Sequence, residues 1–317
     1  MIVTVCADKG SPGVSWTATA LTMVWPGERV LLEADPSGGD AALRLRTPEG
    51  QLLPRQPTLR GLSVDARSGA LPSFDAYTHQ TSLGAPVIPS TDMRTEDFAL
   101  IARQWPAVAA AAYSWRGTVI ADVGRLQEET ASGPVAAAST VVLLIGRSTP
   151  EGLFHLRERS KALAARLGQG MHGRSPLAVA VICPPREHKA RIADLRAHLT
   201  ADPATSDIPV AGWIADDPRA IALMREAQVT KKLTTSDLIR SASGIVEALL
   251  SWWPQLRGAE VQPAGAVPRA VPAPPGPVPA QWAPPADPPN LPPPPPTGPP
   301  WMGAPPVSPS MNSGGWS

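Results

Sequence analysis

Near the start of the chain, Lys9-Gly10-Ser11-Pro12-Gly13-Val14-Ser15-Trp16 brings together the residue types that hold an anion. Gly10, Ser11 and Gly13 give a loop that can turn its backbone N–H groups inward. A helix opening behind the loop adds the partial positive charge of its N-terminus. Lys9 contributes a full charge, and Ser15 a hydroxyl that serves equally well as a helix cap or as a ligand to a hard cation. The chemistry on offer is phosphate binding. The usual phosphate-loop pattern has a lysine immediately before the hydroxyl residue, and here that position is Val14. Two carboxylates complete the set: Asp35 follows the apolar run 29–34, and Asp122 closes the run 117–121. At the ends of strands, both would stand at the carboxyl edge of a sheet, beside the loop.

The elements that must position these residues are legible from their periodicity. Ile2 to Cys6 reads as a buried strand, Thr17 to Trp25 as a helix, and Arg29 to Glu33 as a second strand. Gly117–Gly124, Leu177–Cys183 and Ile208–Ile214 read as further strands, and Ser139–Gly146 as a purely buried one whose lack of a polar face implies cover on both sides, as in a parallel sheet. Between them, Thr95–Trp115 reads as an amphipathic helix interrupted near Pro106, and Thr149–Leu167 and Arg186–Leu199 as helices. Ser236 caps a long amphipathic stretch reaching Leu256. The alternation predicts an α/β fold, a doubly wound, mostly parallel sheet with helices on both faces. Residues 41–92, rich in Pro and Gly, read as a lid or as surface, with short helices over Thr58–Arg67 and Ser73–His79.

A net charge of +1 over 317 residues excludes a protein that coats DNA through global charge, so an electrostatic partner must be met by a local patch. One candidate lies in residues 151–200, where nine Lys/Arg face four Asp/Glu, with Arg186, Lys189, Arg191 and Arg196 on one helix. This strip suits non-specific DNA binding or an ordinary solvated face. His172 and His188 read as surface residues without metal spacing. Cys6 and Cys183 sit in apolar strands and read as reduced thiols. No secretory signal and no transmembrane stretch is present, which predicts a cytoplasmic protein. The last helix ends in Trp252-Trp253-Pro254, but its polar face is poor in Lys and Arg, which favours core packing over membrane anchoring.

The composition changes at about residue 258. Of the 40 prolines, 21 lie in residues 258–317, where Glu260, Arg269 and Asp287 are the only charged residues. Such a stretch reads as a disordered Pro-rich tail beside a folded domain of residues 1–257. The run 292–296 and the neighbouring Trp282, Trp301 and Trp316 suit either a solvated spacer or docking to a protein partner.

Taken together, the loop, the strand end Glu33-Ala34-Asp35-Pro36 and Asp122 resemble the ParA/MinD family of deviant P-loop ATPases over roughly residues 1–250. The resemblance implies ATP and Mg²⁺ as ligands and a homodimer as the nucleotide-bound form. Lys9 falls on the signature lysine that reaches the partner subunit's nucleotide, Ser15 on the hydroxyl that holds Mg²⁺, Asp35 on the carboxylate that positions the attacking water, and Asp122 on the carboxylate that supports Mg²⁺. Gly10, Ser11, Gly13, Val14, Ser15 and Trp16 fall on the nucleotide loop. The segment 208–218, with Asp216 and Pro218, looks like the part that lines the adenine pocket. This sequence departs from the pattern at Val14, at Trp16, at Glu33 in place of the first Asp, and at Cys183-Pro184 in place of a base-reading Asn. Phosphoryl transfer depends on electrostatic stabilisation, so slow or absent hydrolysis is expected. Two functions stay open: an ATP-dependent switch that positions DNA or a secretion or pilus machine, and a CpaE-like scaffold that recruits partners through its tail.

Overall fold

Ile2–Ala7 is buried at every position and forms β1, the strand against which the rest of the sheet is laid. The computed structural model describes residues 1–10, 13–68, 72–90, 95–168 and 176–257. In chain order these form β1, α1 (Val14–Val24), β2 (Arg29–Glu33), α2 (Ala41–Arg44), α3 (Leu59–Ala66), β3 (Val87–Ile88), α4 (Thr95–Leu100), α5 (Trp105–Ser114), β4 (Thr118–Arg125), α6 (Gly133–Ala137), β5 (Val141–Arg147), α7 (Pro150–Leu167), β6 (Leu177–Cys183), α8 (His188–Thr200), β7 (Val210–Ala215), α9 (Pro218–Arg225), α10 (Lys231–Thr234) and α11 (Asp237–Trp252). The strands make one seven-stranded sheet in the order β3-β2-β4-β1-β5-β6-β7, and every ladder is parallel.

The pleat of β1 divides the core. Ile2 and Cys6 face a layer made by α3, α5, α6, α7 and α8, while Val3, Val5 and Ala7 face α1, α9, α10 and α11. The expected last helix is present as α11, capped by Ser236, and its stripe of Leu238, Ala242, Ile245 and Leu249 is buried against the sheet. The Ser241 hydroxyl accepts from the Ala215 N–H at 3.0 Å and ties α11 to the end of β7. Among the described residues no helix is long and apolar enough to cross a membrane. Cys6 and Cys183 are free thiols, both buried. Burial pushes the Cys6 thiol up and that of Cys183 to about 11, as expected of cysteines that act as small hydrophobes.

Several boundaries differ from those read in the sequence. The first helix begins at Val14 rather than Thr17, with Gly13 as its cap in the left-handed region at φ 82°. Ser15 therefore lies inside the first turn and is not the cap. The break in 95–115 falls at residues 101–104, and Pro106 sits harmlessly in the first turn of α5, where its missing N–H has no partner to lose. The described residues of the stretch 41–92 are not plain surface: Leu59, Leu62, Phe74, Val87 and Ile88 are buried, and Val87–Ile88 pairs with β2 as the edge strand. A two-residue strand is too short for a period to show. The expectation of a disordered tail falls on residues 258–317, which lie outside the described residues, as do Ser11 and His172.

Candidate functional site

Among the described residues, three larger cavities take most of the predicted site residues. One, of about 310 Å³, is lined by Gly13, Val14, Ser15, Trp16, Asp35 and Asp122. A second, of about 510 Å³, lies between the start of the loop and α7 and takes Lys9 and Gly10 with Arg147 and His155. The third, of about 560 Å³, is lined by Asp216 and Pro218 with Pro185, Lys232 and Arg240.

The first cavity owes its shape to β4. Val5 of β1 is level with Asp122, but Ala7 is level with Arg125, so β4 carries one extra residue over this span. Gly124 absorbs it at φ +59°, a glycine-type bulge that bends the strand end. Asp122 is 3% exposed; its Oδ1 accepts from the Gly124 N–H at 3.0 Å, and Ser15 lines the same cavity. A Cβ on Gly124 would lie 2.1 Å from Asp35 Oδ2, so the glycine leaves the space in which the Asp35 carboxylate rests. Oδ1 of Asp35 accepts from the Ser37 N–H at 2.9 Å, which holds the side chain in a local turn. Ser15, Asp35 and Asp122 thus line one cavity. Burial raises the Asp122 carboxyl to about 7; the nearby Ser15 hydroxyl opposes this, and the neighbouring Asp35 charge adds to it.

Glu33, the register partner of Asp122 on β2, has a different task. It is 6% exposed, accepts from the Ala41 N–H at 2.8 Å through Oε1, and from the Ser90 N–H at 2.8 Å and Ser90 hydroxyl at 3.2 Å through Oε2. Burial raises its carboxyl above the usual range. Gly39 packs directly on it: a Cβ there would meet the Glu33 carboxyl carbon at 2.1 Å. The side chain staples the loop 35–41 and the segment after β3 to the end of β2. It was visible in sequence only as a departure from a motif.

Val14 is 2% exposed and belongs to the α1–α11 core, so no cation occupies the position of the usual loop lysine. Trp16 is 9% exposed, with the guanidinium carbons of Arg44 and Arg225 at 5.8 and 5.6 Å from its ring centroid. Lys9 is exposed, with no ion pair among the described residues, in a cavity other than that of Ser15 and Asp122. Its neighbour Asp8, missed in the sequence although it too closes a strand, is held by Arg159 Nε at 2.6 Å and lies 3.4 Å from His155 Nδ1. In the third cavity, Asp216 pairs with Arg147 at 3.4 Å, and Asp217 caps α9 by accepting from the Ala220 N–H at 3.0 Å with Pro218 in the first turn. His188 is not a plain surface residue: half-buried, it stacks on Trp213 with centroids 4.6 Å apart.

The basic strip is partly neutralised. Arg191 bonds Glu187 at 2.7 Å and Asp194 at 3.3 Å, and Lys161 bonds Asp202 at 3.1 Å, while Arg186, Lys189 and Arg196 remain exposed.

Among the described residues no three His, Cys, Asp or Glu side chains gather as a metal cage. Mg²⁺ keeps several waters and takes one or two protein ligands with substrate phosphates. Ser15 and Asp122, which line one cavity, are the residues that would hold it. When bound, Mg²⁺ would neutralise phosphate charge.

No known protein-family profile and no characterised protein matches the chain by sequence. Solved structures do match by shape. A ParA family ATPase from Chlorobium tepidum TLS is 15% identical, with 78% of this chain and 98% of that one aligned at a TM-score of 0.55. The cell division ATPase MinD of Pyrococcus furiosus is 17% identical over 79% and 98%, at 0.56. The septum site-determining protein MinD of Pyrococcus horikoshii, complexed with Mg-ADP, is 14% identical over 78% and 95%, at 0.54. The fold is that of the ParA/MinD ATPases, as the motifs implied.

Proposed function

We propose that this protein is a nucleotide-dependent switch: it binds ATP with Mg²⁺ at the loop, dimerises in that state, and uses the state to position cargo such as DNA or a secretion or pilus machine. The observation that carries the reading is the cavity at the mouth of the loop that Ser15, Asp35 and Asp122 line together, with residues from α1, β4 and the end of β2. Supporting it, a fold neighbour is complexed with Mg-ADP and a plasmid partition protein of Borrelia burgdorferi with AMPPNP. Lys9, exposed and outside the Ser15 cavity, suits a lysine that acts on a partner's nucleotide rather than its own. Asp35 would orient the attacking water, and Asp216 and Pro218 would flank the base. Hydrolysis is slow or absent, because a buried valine stands where the lysine stabilises transferring phosphate.

That same buried Val14 favours a second reading, in which the fold survives as a nucleotide-independent adaptor that recruits partners through residues 258–317. Titration calorimetry with Mg-ATP and sedimentation with and without it separate the two. Binding with a shift from monomer to dimer supports the switch, and no binding at millimolar ATP refutes it.

A further inference from the structure

The loop lacks its cation, yet two cations from distant elements reach the same cavity. Arg44 ends α2 and Arg225 ends α9, and both line the cavity formed by Gly13, Ser15, Asp35 and Asp122. Both guanidinium groups lie over the indole of Trp16. That ring is packed in the core, so its exposed edge forms a fixed seat, and an arginine resting on an aromatic face loses less hydration than a lysine would. The seat exists because position 16 carries tryptophan where the related loops carry a small hydroxyl residue.

The charges around the cavity are sorted. Ser15, Asp122 and Asp35 gather about Gly124, on the side that suits a divalent cation. Glu33 is taken up by the Ala41 and Ser90 N–H groups. Asp40 pairs with Arg44, one turn along α2. Arg225 has no carboxylate partner among the described residues; its contact is Trp16. A guanidinium without an ion pair, held at the rim of a cavity that contains a phosphate loop, is a charge in want of an anion.

We propose that Arg225, with Arg44 beside it, is the phosphate-reading cation of this loop: seated on Trp16, it takes the terminal phosphates of a nucleoside di- or triphosphate in place of the lysine missing at Val14. The inference rests on the nucleotide reading above. Arginine presents paired N–H donors to two phosphate oxygens at once, so the exchange gives a site that binds polyphosphate firmly but holds its charge at the side rather than within the loop.

The test is titration calorimetry of the full chain with ATP, ADP and AMP in Mg²⁺, on the wild type, Arg225→Gln, Arg44→Gln and the double variant, with thermal melts to verify folding. ATP and ADP affinity is expected to fall about ten- to hundredfold in the double variant, the loss of one or more charge-assisted hydrogen bonds, while AMP affinity stays unchanged. Arg225→Lys should recover part of the loss. A folded Arg225→Gln/Arg44→Gln protein whose ATP-to-AMP affinity ratio equals that of the wild type overturns the proposal; so does a variant with a lower melting temperature and the same ratio, since the arginines then serve only to balance the carboxylates. If the wild type binds none of the three nucleotides, the switch reading itself fails and this inference with it.

Discussion

Asp122→Asn gives a direct measure of how the site is built. In the folded chain burial pushes the Asp122 carboxyl up to about 7, from 3.8 for an unhindered aspartate. Its folded affinity for a proton is therefore raised, so between about pH 4 and 7 the folded state keeps a proton that the unfolded chain has released. Unfolding releases that proton, and stability falls as pH rises through the window. A difference of about three units corresponds to about 4 kcal/mol of destabilisation, present in full above about pH 7. Glu33, also raised by burial, acts in the same direction. Asparagine cannot ionise and can still accept from the Gly124 N–H. Urea titrations of wild type and Asp122→Asn at about pH 5 and about pH 8, without nucleotide or metal, should show the stability gap shifting in favour of the variant by about 3 kcal/mol at the higher pH. A gap that does not change with pH would refute the view that burial beside Asp35 and Glu33 holds this carboxyl in its acid form.

The other expectations concern the same edge of the sheet. Ser15→Ala removes the hydroxyl that lines the cavity with Asp122, and should lower ATP affinity at least about tenfold in the presence of Mg²⁺ but little in EDTA, as read by calorimetry. Gly39→Ala drives a methyl into the Glu33 carboxyl and Ser90 hydroxyl, and should cost about 2–4 kcal/mol by urea denaturation, whereas Gly10→Ala meets no atom within 4 Å and should cost only about 1 kcal/mol for its φ of +70°. Val14→Lys places an ammonium in the α1–α11 core; the free protein should lose about 1–3 kcal/mol, while steady-state ATP turnover should rise if the missing lysine is what silences the site. Lys9→Ala should leave monomer affinity for ATP near that of the wild type and abolish the nucleotide-dependent dimer in sedimentation.

The sequence alone determined the sheet, the loop and the strand-end carboxylates, because buried parallel strands are continuous apolar runs and a phosphate loop is a local string of residues. Leu177–Cys183 is read with the bounds it has in the structure, and Ser15, Asp35 and Asp122 line one cavity. What only the tertiary structure decided depends on contacts between residues far apart in the chain. Nothing near Glu33 announces Ser90 as its partner, and a two-residue edge strand at Val87–Ile88 has no period to detect. The bulge at Gly124 exists only relative to β1, since an extra residue is a property of a pair of strands. Likewise, Trp16 reads in sequence as a defect in the loop, and only the packing of α2 and α9 against α1 shows the two arginines resting on it.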